Sequence, residues 1–250
     1  MIEICKKHTL QETVKGVVFK EAYIPYMPSQ YCGILAVAEA QNLGGINDGY
    51  VNNLTKMTSL QRMDRLRLSK ETEGFIRIQP WMDGSIPMAL ECGLGVNPNT
   101  VAVSNSVLWS MVSDSGKNLN PNKFLIDKSQ AFWRDILPSL NCHTVVTVGS
   151  VARDVFASIN NVRLINFRSS SPVSMGLYCG SVPNPMPIDI RNKVDGMKQK
   201  YPGYFNKNIR FKEAYLYHAI TTIAQQGGAD GARDGFVPTA FRSRIRGGIV

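Results

Sequence analysis

Four short apolar runs constrain this chain more than anything else in it. They are Gly33-Ile34-Leu35-Ala36-Val37-Ala38, Thr100-Val101-Ala102-Val103-Ser104, Thr144-Val145-Val146-Thr147-Val148 and Arg163-Leu164-Ile165-Asn166-Phe167. None alternates apolar with polar, as a strand with one wet face does. Continuous apolar character belongs to strands covered on both faces, which is the environment of a parallel sheet. Helical patterns fall between the runs. Ile86 to Cys92 precedes the second and Gln130 to Leu140 the third; Val151 to Ile159 follows Gly149-Ser150, and Phe211 to Gln226 ends at Gly227-Gly228. Strands alternating with helices predict an α/β domain on a central parallel sheet. We expect one such domain over residues 1–226, with an insertion at about 46–76 where the rhythm breaks, and a basic Gly/Arg-rich tail over 227–250.

In such a sheet, ligands bind outside the carboxyl ends of the strands. The residues to interrogate are therefore Glu39 to Asn42, Asn105, Gly149-Ser150 and Ser169 to Ser174, all small or polar. The familiar nucleotide signatures are missing. There is no GxxxxGK[ST], Gly93-Leu94-Gly95 neither follows a strand nor has its third glycine, and no GxSxG elbow occurs.

Charge narrows the partners. The chain carries a net +9. From Lys198 onward nine Lys/Arg face three acids, among them the tail arginines Arg233, Arg242, Arg244 and Arg246. A second basic stretch holds Lys56, Arg62, Arg65, Arg67 and Lys70, and its Leu60, Met63 and Leu66 predict a short amphipathic helix. Both stretches favour a phosphate-bearing partner. Five scattered cysteines without a CxxC pair and three scattered histidines give no metal or redox signature, so we expect reduced thiols, no metal and no cofactor. No apolar run approaches the roughly 20 residues of a membrane span. The N-terminal Met1-Ile2-Glu3-Ile4-Cys5-Lys6-Lys7 has no long apolar stretch, so the expectation is a cytoplasmic protein.

Taken in order, the strand ends resemble the motifs of the uracil-DNA glycosylase superfamily across roughly residues 30–180. Leu35-Ala36-Val37-Ala38-Glu39-Ala40-Gln41-Asn42 is similar to its first motif, closest to the GEAPG form of the thermophile-type branch. Gln79-Pro80-Trp81-Met82-Asp83-Gly84 resembles that branch's Arg-Pro-Phe-Val-Gly stretch, and Val103-Ser104-Asn105-Ser106-Val107-Leu108 its strand ending in Asn-Ala-Val-Leu. Val148-Gly149-Ser150-Val151-Ala152 resembles the Gly-Ser-x-Ala turn, and Ser169-Ser170-Ser171-Pro172-Val173-Ser174 the His-Pro-Ser-Pro-Leu-Ser loop. The resemblance implies a three-layer α/β/α fold with a central four-stranded parallel sheet, and a monofunctional DNA glycosylase. That enzyme would serve repair or defence against phage DNA, act as a monomer and take single- or double-stranded DNA as partner.

It also implies roles. Breaking an N-glycosidic bond builds positive charge on the sugar and negative charge on the leaving base. Glu39 and Asn42 would be catalytic, orienting water and stabilising the sugar cation. Trp81 would stack on the flipped base, Asn105 would read its edge, and Arg168 and Ser169 would border it. Gln41, Gly149, Ser150, Ser171 and Ser174 would hold the DNA backbone. Ser169 stands where the family has histidine, and Gln41 and Asn42 where it has Pro and Gly. The smaller Ser169 implies a substituted pyrimidine, such as a modified cytosine, with uracil as the alternative. Arg168 is the better replacement donor, with His143 and His218 the other candidates in space. A nucleic-acid-binding relative without catalysis and a small-molecule nucleosidase remain rivals.

Overall fold

A computed structural model of the chain describes residues 1–40, 43, 49–67, 84–169 and 178–229. Its strands are β1 (Ile34–Ala40), β2 (Ala102–Val107), β3 (Thr144–Val148) and β4 (Arg163–Phe167). Its helices are α1 (Ile2–Lys7), α2 (Gly49–Thr55), α3 (Ser59–Leu66), α4 (Ser85–Leu94), α5 (Lys123–Ile136), α6 (Ser150–Phe156), α7 (Ile188–Lys200) and α8 (Ile209–Ala229). The strands form one all-parallel sheet in the order β2-β1-β3-β4. Alternate residues serve two cores, as the two-residue repeat of a strand requires. Leu35, Val37 and Val145 pack with Leu125, Phe132, Trp133 and Phe156 from α5 and α6. Ile34, Ala36, Val103, Val146 and Ile165 pack with Met88, Leu90, Leu216 and Ala219 from α4 and α8. The fold is three-layered, helix–sheet–helix. Among the described residues, no helix is long and apolar enough to cross a membrane.

The boundaries differ from the sequence reading at informative places. β1 runs on through Glu39 to Ala40, and β2 through Asn105 to Val107, so both residues lie within strands and not in the loops after them. Ser104, Asn105 and Ser106 read as a strand end because they are polar, yet each is buried and Ala40 pairs with Val107. The third predicted helix starts earlier, because the Asn122 side chain accepts the Leu125 N–H at 3.0 Å, and it tightens into a 3-10 turn at Leu137–Leu140, where Pro138 sits. α4 extends from Ser85 to Leu94 between two left-handed glycines, Gly84 and Gly95. Gly227 and Gly228 do not stop the last helix, which continues to Ala229.

The described part of the insertion is integral to the core. Val51 and Leu54 of α2 and Met63 and Leu66 of α3 are buried in the α5–α6 core, whereas Leu60, expected beside them, is 46% exposed. Arg62 also leaves the basic stretch. Its guanidinium is turned inward onto Glu21 and onto the Leu54 and Met57 carbonyls.

Candidate active site

The order of the strands locates the crevice. From β1 the chain crosses to β2 on one side, whereas from β3 it crosses to β4 on the other. The carboxyl ends of β1 and β3 therefore flank the topological switch point, where open α/β sheets bind ligands. Glu39 is the last residue but one of the first of these strands, and Gly149-Ser150 follows the other.

The two are in contact. The Val151 N–H donates to Glu39 Oε1 at 3.5 Å, and the other carboxylate oxygen has no hydrogen-bond partner among the described residues. Gly149 adopts φ +94°, and a Cβ there would sit 2.4 Å from Glu39 Oε1. Only glycine lets this carboxylate lie across the turn. The Glu39 backbone is fixed separately, since its carbonyl accepts the Ser106 hydroxyl at 2.9 Å while the Ser106 carbonyl accepts Trp133 Nε1–H at 2.7 Å. Ser150 is exposed at the start of α6.

We expect Gly149→Ala to push Glu39 out of place. The left-handed backbone costs about 1–2 kcal/mol for an alanine. A thermal-melting loss of that size, with base release falling further than in an alanine variant of exposed Ser150, is the expected pair of results. Unchanged release would show that the Glu39–Gly149 contact does not position the acid.

Asn105 lies on the neighbouring strand, β2. It pairs in register with Ala38, one residue before Glu39. Its backbone is satisfied: the N–H donates to the Tyr23 hydroxyl at 3.1 Å, and its carbonyl accepts the Ser104 hydroxyl at 3.2 Å. Its side chain is not. Asn105 is 1% exposed, and neither Nδ2 nor Oδ1 makes a well-aligned hydrogen bond among the described residues, although the Tyr23 hydroxyl lies close enough to the amide to interact with it. A buried amide left unpaired costs about 1–3 kcal/mol, so it requires a reason. No motif in the sequence points to Tyr23. Its burial, which raises the phenol pKa well above the ordinary value, keeps the hydroxyl neutral beside Asn105.

At the end of β4, Arg168 is exposed and Ser169 half-buried. The Arg168 guanidinium lies 5.4 Å from the centre of the Tyr178 ring, and its carbonyl accepts the Tyr215 hydroxyl at 3.2 Å. His218 packs against Tyr178, the ring centroids 5.4 Å apart. His143 is at the opposite end of the sheet, its Nε2 3.1 Å from the Cys32 carbonyl and its ring against Gly33, so it does not replace the missing loop histidine. Gln41, Asn42, Trp81, Ser171 and Ser174 lie outside the described residues. The five cysteines are free thiols, and burial pushes Cys5, Cys92 and Cys142 up to about 11, far from nucleophilic.

No protein-family model matches the chain, and no curated protein matches it.

Proposed function

We propose that this chain is a monofunctional DNA glycosylase, hydrolysing the N-glycosidic bond of a flipped, substituted pyrimidine. The Asn105 amide, without a hydrogen-bond partner among the described residues, carries the reading. A carboxamide offers one acceptor and two donors, so two adjacent contacts on a pyrimidine edge satisfy it where no described residue does. A base lacking that edge leaves buried polar groups unpaired, which discriminates strongly.

The other groups divide the charge. The sugar–base bond breaks with its electron pair leaving on the base, and water adds to the sugar carbon as its proton departs. The free oxygen of Glu39 faces the sugar side, steadying the cation and orienting that water. Arg168 supplies a donor to the base as it becomes an anion, in place of the loop histidine. A serine at 169 leaves room for a substituent that histidine would exclude. Asn42, Trp81, Gln41, Ser171 and Ser174 keep the roles that the resemblance implies for them.

The test is direct. Duplexes and single strands containing uracil, 5-methylcytosine, 5-hydroxymethylcytosine or its glucosylated form are incubated with the protein, and abasic sites are cleaved with alkali. Fastest cleavage is expected at a substituted cytosine. Faster release of uracil overturns the substrate preference, and no abasic product from any DNA overturns the glycosylase reading.

The basic tail gives a separate prediction. Because α8 continues to Ala229, the truncation belongs after that residue and not after Gln226. Removing Arg233, Arg242, Arg244 and Arg246 is expected to flatten the dependence of log affinity on log salt by about 0.9 for each phosphate that the tail neutralises. An identical slope in the truncated protein means the tail does not touch DNA.

A further inference from the structure

Arg168, Tyr178 and His218 form a column that the strand-end motifs do not include. Arg168 leaves β4 and lays its guanidinium on one part of the Tyr178 ring, at 5.4 Å. The His218 ring meets Tyr178 at 5.4 Å with a 53° tilt. Tyr178 is 6% exposed, so it is a fixed platform that both touch, and Arg168 and His218 line one small cavity beside it. His218 is itself held on α8. Its Nε2 lies 3.0 Å from the Ser181 hydroxyl and 3.4 Å from the Tyr178 carbonyl, and Tyr217 packs on it edge to face. These contacts engage Nε2 within the protein.

We infer that His218 is a positioning residue for Arg168: its neutral ring keeps the guanidinium seated on Tyr178, and its protonation unseats it. The inference rests on the glycosylase reading for what Arg168 then does. Its physical basis is charge. A neutral imidazole backs the tyrosine without opposing the cation on it. A protonated one puts a second positive charge against the same ring, beside an Arg168 that is exposed and can swing into water.

The groups around the imidazole support this. Arg168 approaches from β4, Tyr178 and Ser181 from the turn after residue 177, and Tyr217 from α8 itself. Among the described residues no carboxylate lies within ion-pair distance to stabilise the imidazolium. Burial lowers the His218 pKa from its usual value; the Tyr178 carbonyl opposes that shift and the Arg168 charge adds to it. The neutral form is thus the resting form near neutrality.

Two measurements decide the matter. In an NMR titration the ring signals of three histidines are followed, and Arg168→Gln is expected to raise the His218 midpoint by roughly half a unit, less than the shift of a charge in direct contact. In single-turnover base release, the wild-type rate should fall roughly two- to fivefold as pH drops through that midpoint and then level off, and His218→Asn should remove this acid step. Asparagine keeps a hydrogen bond to Ser181 and never becomes charged. Tyr178→Phe, which retains the ring, should behave like wild type. Tyr178→Leu should lose roughly two- to fivefold in rate, the value of a cation–ring contact. An unchanged His218 midpoint in Arg168→Gln, or a wild-type acid step in His218→Asn, overturns the inference. If no DNA loses a base at any pH, the glycosylase reading falls, and the NMR midpoint alone decides whether the three residues act as one unit.

Discussion

Glu39→Gln and Asn105→Ala are each expected to lower single-turnover base release by about 10²–10⁴, with DNA affinity changed only severalfold. The glutamine keeps the length of Glu39 and an oxygen for the Val151 N–H, so the loss isolates the carboxylate charge from its packing. Asn105→Ala carries an internal control. Among the described residues this buried amide has no hydrogen-bond partner, and removing it relieves about 1–3 kcal/mol of desolvation while leaving a small cavity. The two effects offset, so the free variant should melt close to wild type although its activity collapses. A residue kept for the fold behaves in the opposite way, losing stability first. Wild-type turnover in both variants would mean that the crevice between β1 and β3 is not the active site.

The sheet can be read from sequence because its strands are buried on both faces, and Val145-Val146 or Leu35-Ala36-Val37 leave little alternative. The strand tips are harder. Glu39 and Asn105 are polar, and polarity at the end of an apolar run looks like a loop; here the neighbouring strand continues beside each, so both stay in the ladder. That difference matters for chemistry, because a strand fixes the backbone under a functional side chain more firmly than a loop does. The strand order lies in pairings between residues far apart, which no local pattern encodes, and only that order shows that β1 and β3 flank the switch point. Tyr23 and the Arg168–Tyr178–His218 column are tertiary arrangements of the same kind. Charge misleads in one place. Arg62 sits in a basic run and looks like a phosphate ligand, but one acid distant in sequence draws it into the protein.

That acid supplies the second large effect. Glu21 and Arg62 form a two-pronged pair, with Nη2 to Oε1 at 2.8 Å and Nε to Oε2 at 3.1 Å, their side chains 8% and 16% exposed. At such burial, removing one partner strands the other's charge, and Glu21→Ala or Arg62→Ala should each lower unfolding free energy by about 3–5 kcal/mol. Replacing both, as Glu21→Leu with Arg62→Met, should recover part of this and not all, because the Met57 carbonyl loses the Arg62 donor and the Leu54 carbonyl keeps only the Met57 N–H. Burial alone would raise the Glu21 pKa, but hydrogen bonds from Arg62, helped by its charge, outweigh it and hold the carboxyl below its ordinary 4.5. The pair's stabilisation is therefore fully present above that value and disappears as pH falls through the lower folded-state value. Wild type should lose stability more steeply with acid than Glu21→Gln does. The loss should also reach the site. Residues 21–26 run between α3 and the free edge of β2, with the Ile24 N–H on the Met63 carbonyl and Tyr26 exchanging hydrogen bonds with Val103. The hydroxyl of Tyr23, within that segment, accepts the Asn105 N–H. Loosening Arg62 frees the segment that steadies the strand under Asn105, so Arg62→Ala should release bases more slowly even at temperatures where it remains folded. Denaturant unfolding that shifts by less than about 1 kcal/mol, the value of an exposed pair, would show that water screens this contact and that the segment is held by its backbone bonds alone.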